Sequence, residues 1–175
     1  SGPEKYSGLV FMGGAMSANE DLPSITGALI LIKQAIRNNI PVLGHCLGGQ
    51  LLSKALGGKV SRGTIKEIGW GKVVVADNTI ARKWFDNLYG FESFHWHGEN
   101  FTLPDGATRL LSSTYCENQA FSIGVHLGMQ CHLEITEEMV STWYEVGAEE
   151  IENSSGPAVQ SFVEAQTNLT NRVAV

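Results

Sequence analysis

The sequence predicts an α/β domain in three layers, with helices on both faces of a mostly parallel sheet. Two observations predict it. Apolar runs of strand length alternate with amphipathic stretches of helix length, the pattern left when crossover helices bury strands on both faces. A chain of 175 residues that is 43% hydrophobic and 17% charged can bury a substantial core as one unit. The expected organisation is a single domain over 1–175, with 151–175 as a C-terminal helical extension. No internal repeat or low-complexity tract is visible.

LVFM at 9–12 reads as the first buried strand. Ser24 is placed to cap a helix running to about Asn39, in which Ala28, Leu29, Ile32 and Ile36 fall at core-facing spacing. PVLGHC is a second buried strand and runs directly into a helix over LGGQLLSKALGG. IGWGKVVVAD and FESFHWH are strands around a helical TIARKWFDNLYG. With the short β segments TRLLSST and AFSIGVH they form an excursion beside the main sheet. GMQCHLEIT is a buried strand ending in His132, TEEMVSTWYEVGAEEIE one helix, and NSSGP a break. AVQSFVEAQTNLTNRV closes the chain as a helix of fading periodicity.

The chemistry concentrates at 41–50, PVLGHCLGGQ, where an apolar run delivers one cysteine into a glycine-flanked turn before a helix. Gly44, Cys46 and Gly48 form G-x-C-x-G, the thiol form of a nucleophile elbow. The helix that follows directs its first N–H groups at the cysteine, favouring thiolate and offering donors to an oxyanion. The N–H of Leu47, next after the nucleophile, is the natural first donor. Cys116 and Cys131 lack the glycine bracket and read as buried structural thiols.

A base is supplied downstream. In an extended chain His132 and Glu134 face the same side, so the carboxylate can hold one ring nitrogen and leave the other for the thiol. The order Cys, His, Glu disfavours an α/β-hydrolase, whose acid lies between nucleophile and histidine. Gln50 is four residues past Cys46, on the same helical face, and its amide can reach a bound substrate or serve as an ordinary surface glutamine. Gln119 reads more simply as a strand-edge glutamine. His45, beside the nucleophile, and His126 read as partners of backbone groups.

Composition excludes several classes. A net charge of −6 with scattered Lys and Arg is unsuited to a nucleic-acid surface. Neither a secretory signal nor a spanning apolar segment is visible, and three cysteines without framework spacing suit a reducing cytosol, so no membrane and a cytoplasmic location are expected. His95 and His97 sit at alternate positions and could suit zinc or iron, with His126 or His132 as a third ligand. No H-E-x-x-H, C-x-x-C or aspartate cluster accompanies them, and neither metal nor cofactor is expected.

Taken together, LVFMGGAMS at 9–17, HCLGGQ at 45–50, KEIGW at 66–70, FHWH at 94–97 and QCHLE at 130–134 resemble the class I glutamine amidotransferase domain. The nearest subgroup is the stand-alone proteins related to the amidotransferase domain of GMP synthase. The resemblance spans about residues 8–136. It implies a flavodoxin-like core and release of ammonia from glutamine through a γ-glutamyl thioester on Cys46. It also implies Gly13 and Gly14 in the glycine loop, Gly14 giving the second oxyanion donor, with Gln50, Trp96 and His97 lining the glutamine pocket. Cys131 and Leu133 stand where the family commonly has an aromatic residue and a proline.

Relatives carry a further strand and helix before the segment equivalent to LVFMGG, so the sequence is expected to lack that first strand. It also has no phosphate-binding loop for activating an ammonia acceptor, which implies a separate ATP-dependent synthetase partner. Three functions remain: a glutaminase component or stand-alone amidotransferase, a γ-glutamyl peptide or conjugate hydrolase using the same triad, and a catalytically idle regulatory scaffold.

Overall fold

The computed structural model describes residues 2–173, and side chains as far as Leu169. Its first part is β1 (Leu9–Phe11), α1 (Pro23–Arg37), β2 (Val42–His45) and α2 (Leu47–Ala55). The crossover through α1 lays β1 parallel to β2, Leu9 opposite Val42 and Phe11 opposite Gly44. Helix α1 begins one residue ahead of Ser24, with Pro23 in the first turn, where its missing N–H costs nothing, and Leu22 as an N-cap without a side-chain bond. The expected Ser24 cap is therefore corrected. The helix stops at Asn39, whose φ of 53° turns the chain out.

The middle of the chain supplies β3 (Val60–Val75), α3 (Thr79–Phe85), β4 (Gly90–Phe101), β5 (Thr108–Ser113), β6 (Ala120–Ile123) and β7 (His126–Met129). Asn78 caps α3 by accepting from the N–H groups of Ile80 and Ala81. The seven strands form one sheet in the order β1-β2-β7-β6-β5-β3-β4. The pairs β1–β2 and β2–β7 are parallel, and the other four are antiparallel. The sheet is α/β as expected but mixed, its parallel part confined to the strands around the elbow. Three strand boundaries differ from expectation. β3 and β4 are longer than their apolar runs, because they pair along a ladder from Val60–Phe101 to Val74–Gly90 that tolerates polar residues. AFSIGVH is a hairpin turned at Gly124, φ 56°. The strand expected through His132 ends at Met129.

Beyond Met129 the chain still makes one antiparallel bridge, His132 to Phe94 of β4. His132 N–H donates to Phe94 O at 2.8 Å and Phe94 N–H to His132 O at 3.2 Å. The sheet therefore curls until its β4 edge meets the continuation of β7.

The last part is α4 (Glu137–Val146), α5 (Ala148–Glu152) and α6 (Phe162–Val173). Thr136 caps α4 by accepting from Met139 N–H. The single helix expected here breaks at Gly147, which serves as C-cap of α4 and N-cap of α5. Three apolar clusters hold the elements together. Ile25, Ile32 and Ala35 of α1 meet Leu51 and Leu52 of α2 on Val42 and Phe121. Val73, Leu110 and Leu111 bury Ala81 of α3. Ile68 and Phe94 pack on Val140 and Tyr144 of α4 and Ala165 of α6. Phe94 is fully buried at this junction, so its truncation to alanine should cost about 3–5 kcal/mol.

Candidate active site

Cys46 lies in the turn between β2 and α2 with φ 49° and ψ −109°, a conformation costly for a residue with a Cβ. Glycines on either side let the neighbouring backbones close on this turn. A Cβ on Gly48 would lie 2.0 Å from Phe11 O, and one on Gly49 2.3 Å from Met129 O. Cys46 N–H donates to Met129 O at 2.8 Å, which ties the elbow to β7. Strand, turn and helix thus meet as the G-x-C-x-G pattern requires.

His132 and Glu134 are brought to the same place. The ring Nδ1 of His132 is 2.6 Å from Glu134 Oε1. Burial alone would lower the proton affinity of His132, but its hydrogen bonds to Cys46 and Glu134 outweigh burial and raise the pKa to about 9. With Nδ1 on the carboxylate, Nε2 is the nitrogen left for the thiol. Burial raises the carboxyl of Glu134, yet its contacts with His132 win and hold it below the usual range. Trp143 stands edge-on to the imidazole, ring centroids 4.9 Å apart, and fixes its plane.

Glu134 has a second neighbour. Its Oε2 is 3.2 Å from Nδ1 of His45, out of line for a hydrogen bond, so the contact is electrostatic. Burial lowers the pKa of His45 more than Glu134 raises it. His45 is thus a neutral neighbour of the carboxylate, whereas the sequence assigned it only backbone partners. His126 starts β7 and burial lowers its pKa too.

The glycine loop closes on the same centre. A Cβ on Gly13 would sit 3.3 Å from Cε1 of His132 and 3.5 Å from Cβ of Cys46, so only hydrogen fits easily. Gly14 faces Leu47, whose Cδ2 would be 3.0 Å from such a Cβ. Among the described residues no loop or cap hydrogen bond uses the N–H of Gly14 or Leu47. Both remain available to an oxyanion.

Three expected substrate contacts are placed differently. Gln50 is buried and donates from Nε2 to Glu99 O and to Gln130 Oε1, both at 3.2 Å. Its donor is spent on the frame of the site. Trp96 meets the nucleophile through its backbone, Cys46 Sγ donating to Trp96 O at 3.8 Å. Its indole turns to α5, where Nε1 donates to Glu150 at 2.9 Å. The His97 ring lies inside the curl of the sheet, 3.2 Å from Glu67.

Two residues were missed. Gln130, fully buried, donates from Nε2 to Cys46 Sγ at 3.6 Å and accepts from Gln50, so one amide chain joins helix α2 to the sulfur. Its signal was present: Gln130, His132 and Glu134 are polar at alternate positions of an otherwise apolar segment. Glu99 accepts from Ser17 Oγ at 2.9 and 2.8 Å and so anchors the glycine loop to β4. Nothing local marks it. Cys116 and Cys131 are as expected, their thiols pushed up to about 12 by burial. No helix among the described residues is long and apolar enough to cross a membrane.

Comparison with known proteins places this geometry in context. The family model described as Glutamine amidotransferase class-I matches residues 2–143. Among solved structures, a glutamine amidotransferase from Methylobacillus flagellatus superposes with a TM-score of 0.92 at 41% identity, covering 98% of this chain and 71% of that one. Among curated proteins, the glutamine amidotransferase-like protein YfeJ of Salmonella typhimurium is 30% identical over 160 residues, 87% of this chain and 67% of that protein. One component of the two-part, glutamine-hydrolysing GMP synthase of Saccharolobus solfataricus is 29% identical over 136 residues, 75% of this chain and 69% of that protein. Gamma-glutamyl peptidase 3 of Arabidopsis thaliana is 30% identical over 145 residues, 78% of this chain and 58% of the peptidase.

Proposed function

This chain belongs to the class I glutamine amidotransferase family, and on that premise we propose that it hydrolyses the side-chain amide of glutamine through a thioester on Cys46, releasing ammonia. One observation carries the proposal: a strained cysteine at a helix N-terminus stands with a histidine whose far nitrogen is 2.6 Å from a carboxylate.

In the first step Sγ forms a bond to the amide carbon and the thiol proton passes to Nε2 of His132. The N–H groups of Leu47 and Gly14 receive the oxyanion. His132 then protonates the departing nitrogen, the C–N bond breaks, and ammonia leaves a γ-glutamyl thioester. Water adds to that carbon, yielding its proton to His132. The carbon–sulfur bond breaks, and glutamate departs as the thiol is restored. A histidine that keeps its proton to about pH 9 suits the protonation of the leaving amine. The ammonia goes to a separate ATP-dependent synthetase, a partner supported by the likeness to one component of a GMP synthase.

The Arabidopsis relative favours a second reading, a γ-glutamyl peptide or conjugate hydrolase with the same triad. Intact mass after incubation with 6-diazo-5-oxo-norleucine tests both. The first reading expects one adduct that is lost in Cys46→Ser, with turnover of glutamine preferred over γ-glutamyl dipeptides. A single adduct with the reverse preference would favour the second. No adduct in folded protein would remove both.

A further inference from the structure

The interior of the curled sheet holds a second cluster that the proposed chemistry does not use. Cross-strand pairing in the β3–β4 ladder sets Glu67 opposite His97, Gly69 opposite His95 and Gly71 opposite Ser93, so all six share one face. Gly71 leaves room for the His95 ring, since a Cβ there would be 3.0 Å from its Cδ2 and Nε2. Ser113 of β5 and Gln119, just before β6, complete the group. Glu67, His95, His97 and Gln119 are all at most 6% exposed.

The cluster is rich in acceptors and poor in positive charge. Glu67 Oε2, His95 Nδ1 and Ser113 Oγ converge on the single Nε2 of Gln119 at 2.9, 3.3 and 3.1 Å, three acceptors for two hydrogens. The Oε1 of Gln119 and both ring nitrogens of His97 are buried without a hydrogen bond. Contacts with His97, His95 and Ser113 outweigh burial and keep Glu67 ionised. Among the described residues Glu67 makes an ion-pair contact with His97 and none with a Lys or Arg. A buried carboxylate without a firm cationic partner is costly.

We propose that Glu67, His95 and His97 form a binding site for a divalent transition-metal cation, zinc being the best fit, with Gln119 Oε1 as a fourth donor once its amide rotates. The three ligand atoms lie within 4.8 Å of one another. Donors around a tetrahedral zinc, each about 2.0–2.2 Å from the ion, stand about 3.4 Å apart, so small side-chain rotations close the set. Two neutral imidazoles and one carboxylate are a donor combination zinc accepts. His95, whose pKa burial lowers to about 4, keeps a lone pair free at neutral pH. A cavity of about 140 Å³ reaches Glu67, His95 and Ser113 and provides an entry path. The ion would brace β3, β4 and the start of β6 behind the backbone that carries Trp96. The sequence hid this site because its carboxylate comes from the opposite strand of the ladder.

The test is zinc titration by calorimetry into chelator-stripped Cys46→Ser protein, so that no catalytic thiol competes. One equivalent per chain is expected, with a rise in melting temperature. Glu67→Gln and His95→Ala should each abolish stoichiometric binding. Ser113→Ala, which removes only a supporting bond to the carboxylate, should weaken it about 10- to 100-fold. Should either ligand variant fail to fold, cobalt(II) in otherwise unaltered protein serves instead. Intense visible bands of a four-coordinate ion without thiolate charge transfer support the site. The proposal is overturned if the stripped protein binds no zinc. It is equally overturned if binding is undiminished in the folded Glu67 and His95 variants, which would place the ion on His45, His132 and Glu134.

Discussion

Replacing Glu134 by glutamine removes a charge while keeping an acceptor for Nδ1 of His132. The imidazole of His132 rises from 6.5 to about 9 against the opposing effect of burial. Each pH unit is about 1.4 kcal/mol, so the raising contacts together supply more than about 3 kcal/mol. Cys46 ranks first among them and Glu134 second, which leaves the carboxylate at least about 1 kcal/mol. In Glu134→Gln the alkaline limb of kcat/KM, set by loss of the His132 proton, should fall from near pH 9 to about pH 8 or below. Turnover should drop about 10- to 100-fold, short of the 10²- to 10⁴-fold expected for His132→Ala, because the ring is still held by Trp143. Ammonia release from glutamine, followed from about pH 6 to 10, measures both quantities. A limb at the same pH in wild type and variant would refute the coupling between the two side chains.

Stability should show the same proton. Folded His132 binds it more tightly than the unfolded chain, so its contribution is full below pH 6.5 and is lost as the pH climbs through about 9; thermal melts of wild type and His132→Ala should converge across that window. Gln130→Leu removes the amide that donates to Sγ, and a hydrogen bond to a charged group is worth about 1.5–3 kcal/mol, so rates of alkylation and of turnover should fall by about 10- to 100-fold. Gly48→Ala drives a methyl group into the Phe11 carbonyl and should destabilise by at least about 2 kcal/mol, read as a drop of several degrees in melting temperature. Cys46→Ser should keep the fold and lose thioester formation, seen as absence of the acyl adduct by mass spectrometry.

The elbow was legible because its chemistry is local: one strand, one turn and one helix within ten residues, with glycines where backbones touch. The histidine and carboxylate were legible by their alternation, although the strand assigned to them ends at Met129 and the bridge to Phe94 keeps the chain extended there. What failed was non-local. The substrate role given to Gln50 ignored Gln130 and the carbonyl of Glu99, which no spacing rule connects to it. Ser24 looked like a cap because nothing in the sequence shows that the preceding Pro23 already occupies the first turn. His97 was assigned to the substrate wall because its partner Glu67 becomes a neighbour only after β3 and β4 pair. The antiparallel majority of the sheet follows from hairpin connections, which apolar runs alone do not distinguish from crossovers.

The bridge between Phe94 and His132 also bears on how the molecule is assembled. Between Cys46 and His132 the chain lays down five strands, β3 to β7, and the histidine reaches the cysteine only when the curl is closed. Contacts of such long range form slowly, because loop entropy is lost before they are rewarded. A refolding chain can therefore complete α2 and the elbow while its thiol still lacks a base. Recovery of alkylation by the glutamine analogue should lag behind recovery of helical signal, and a partly folded chain will hold an inert cysteine.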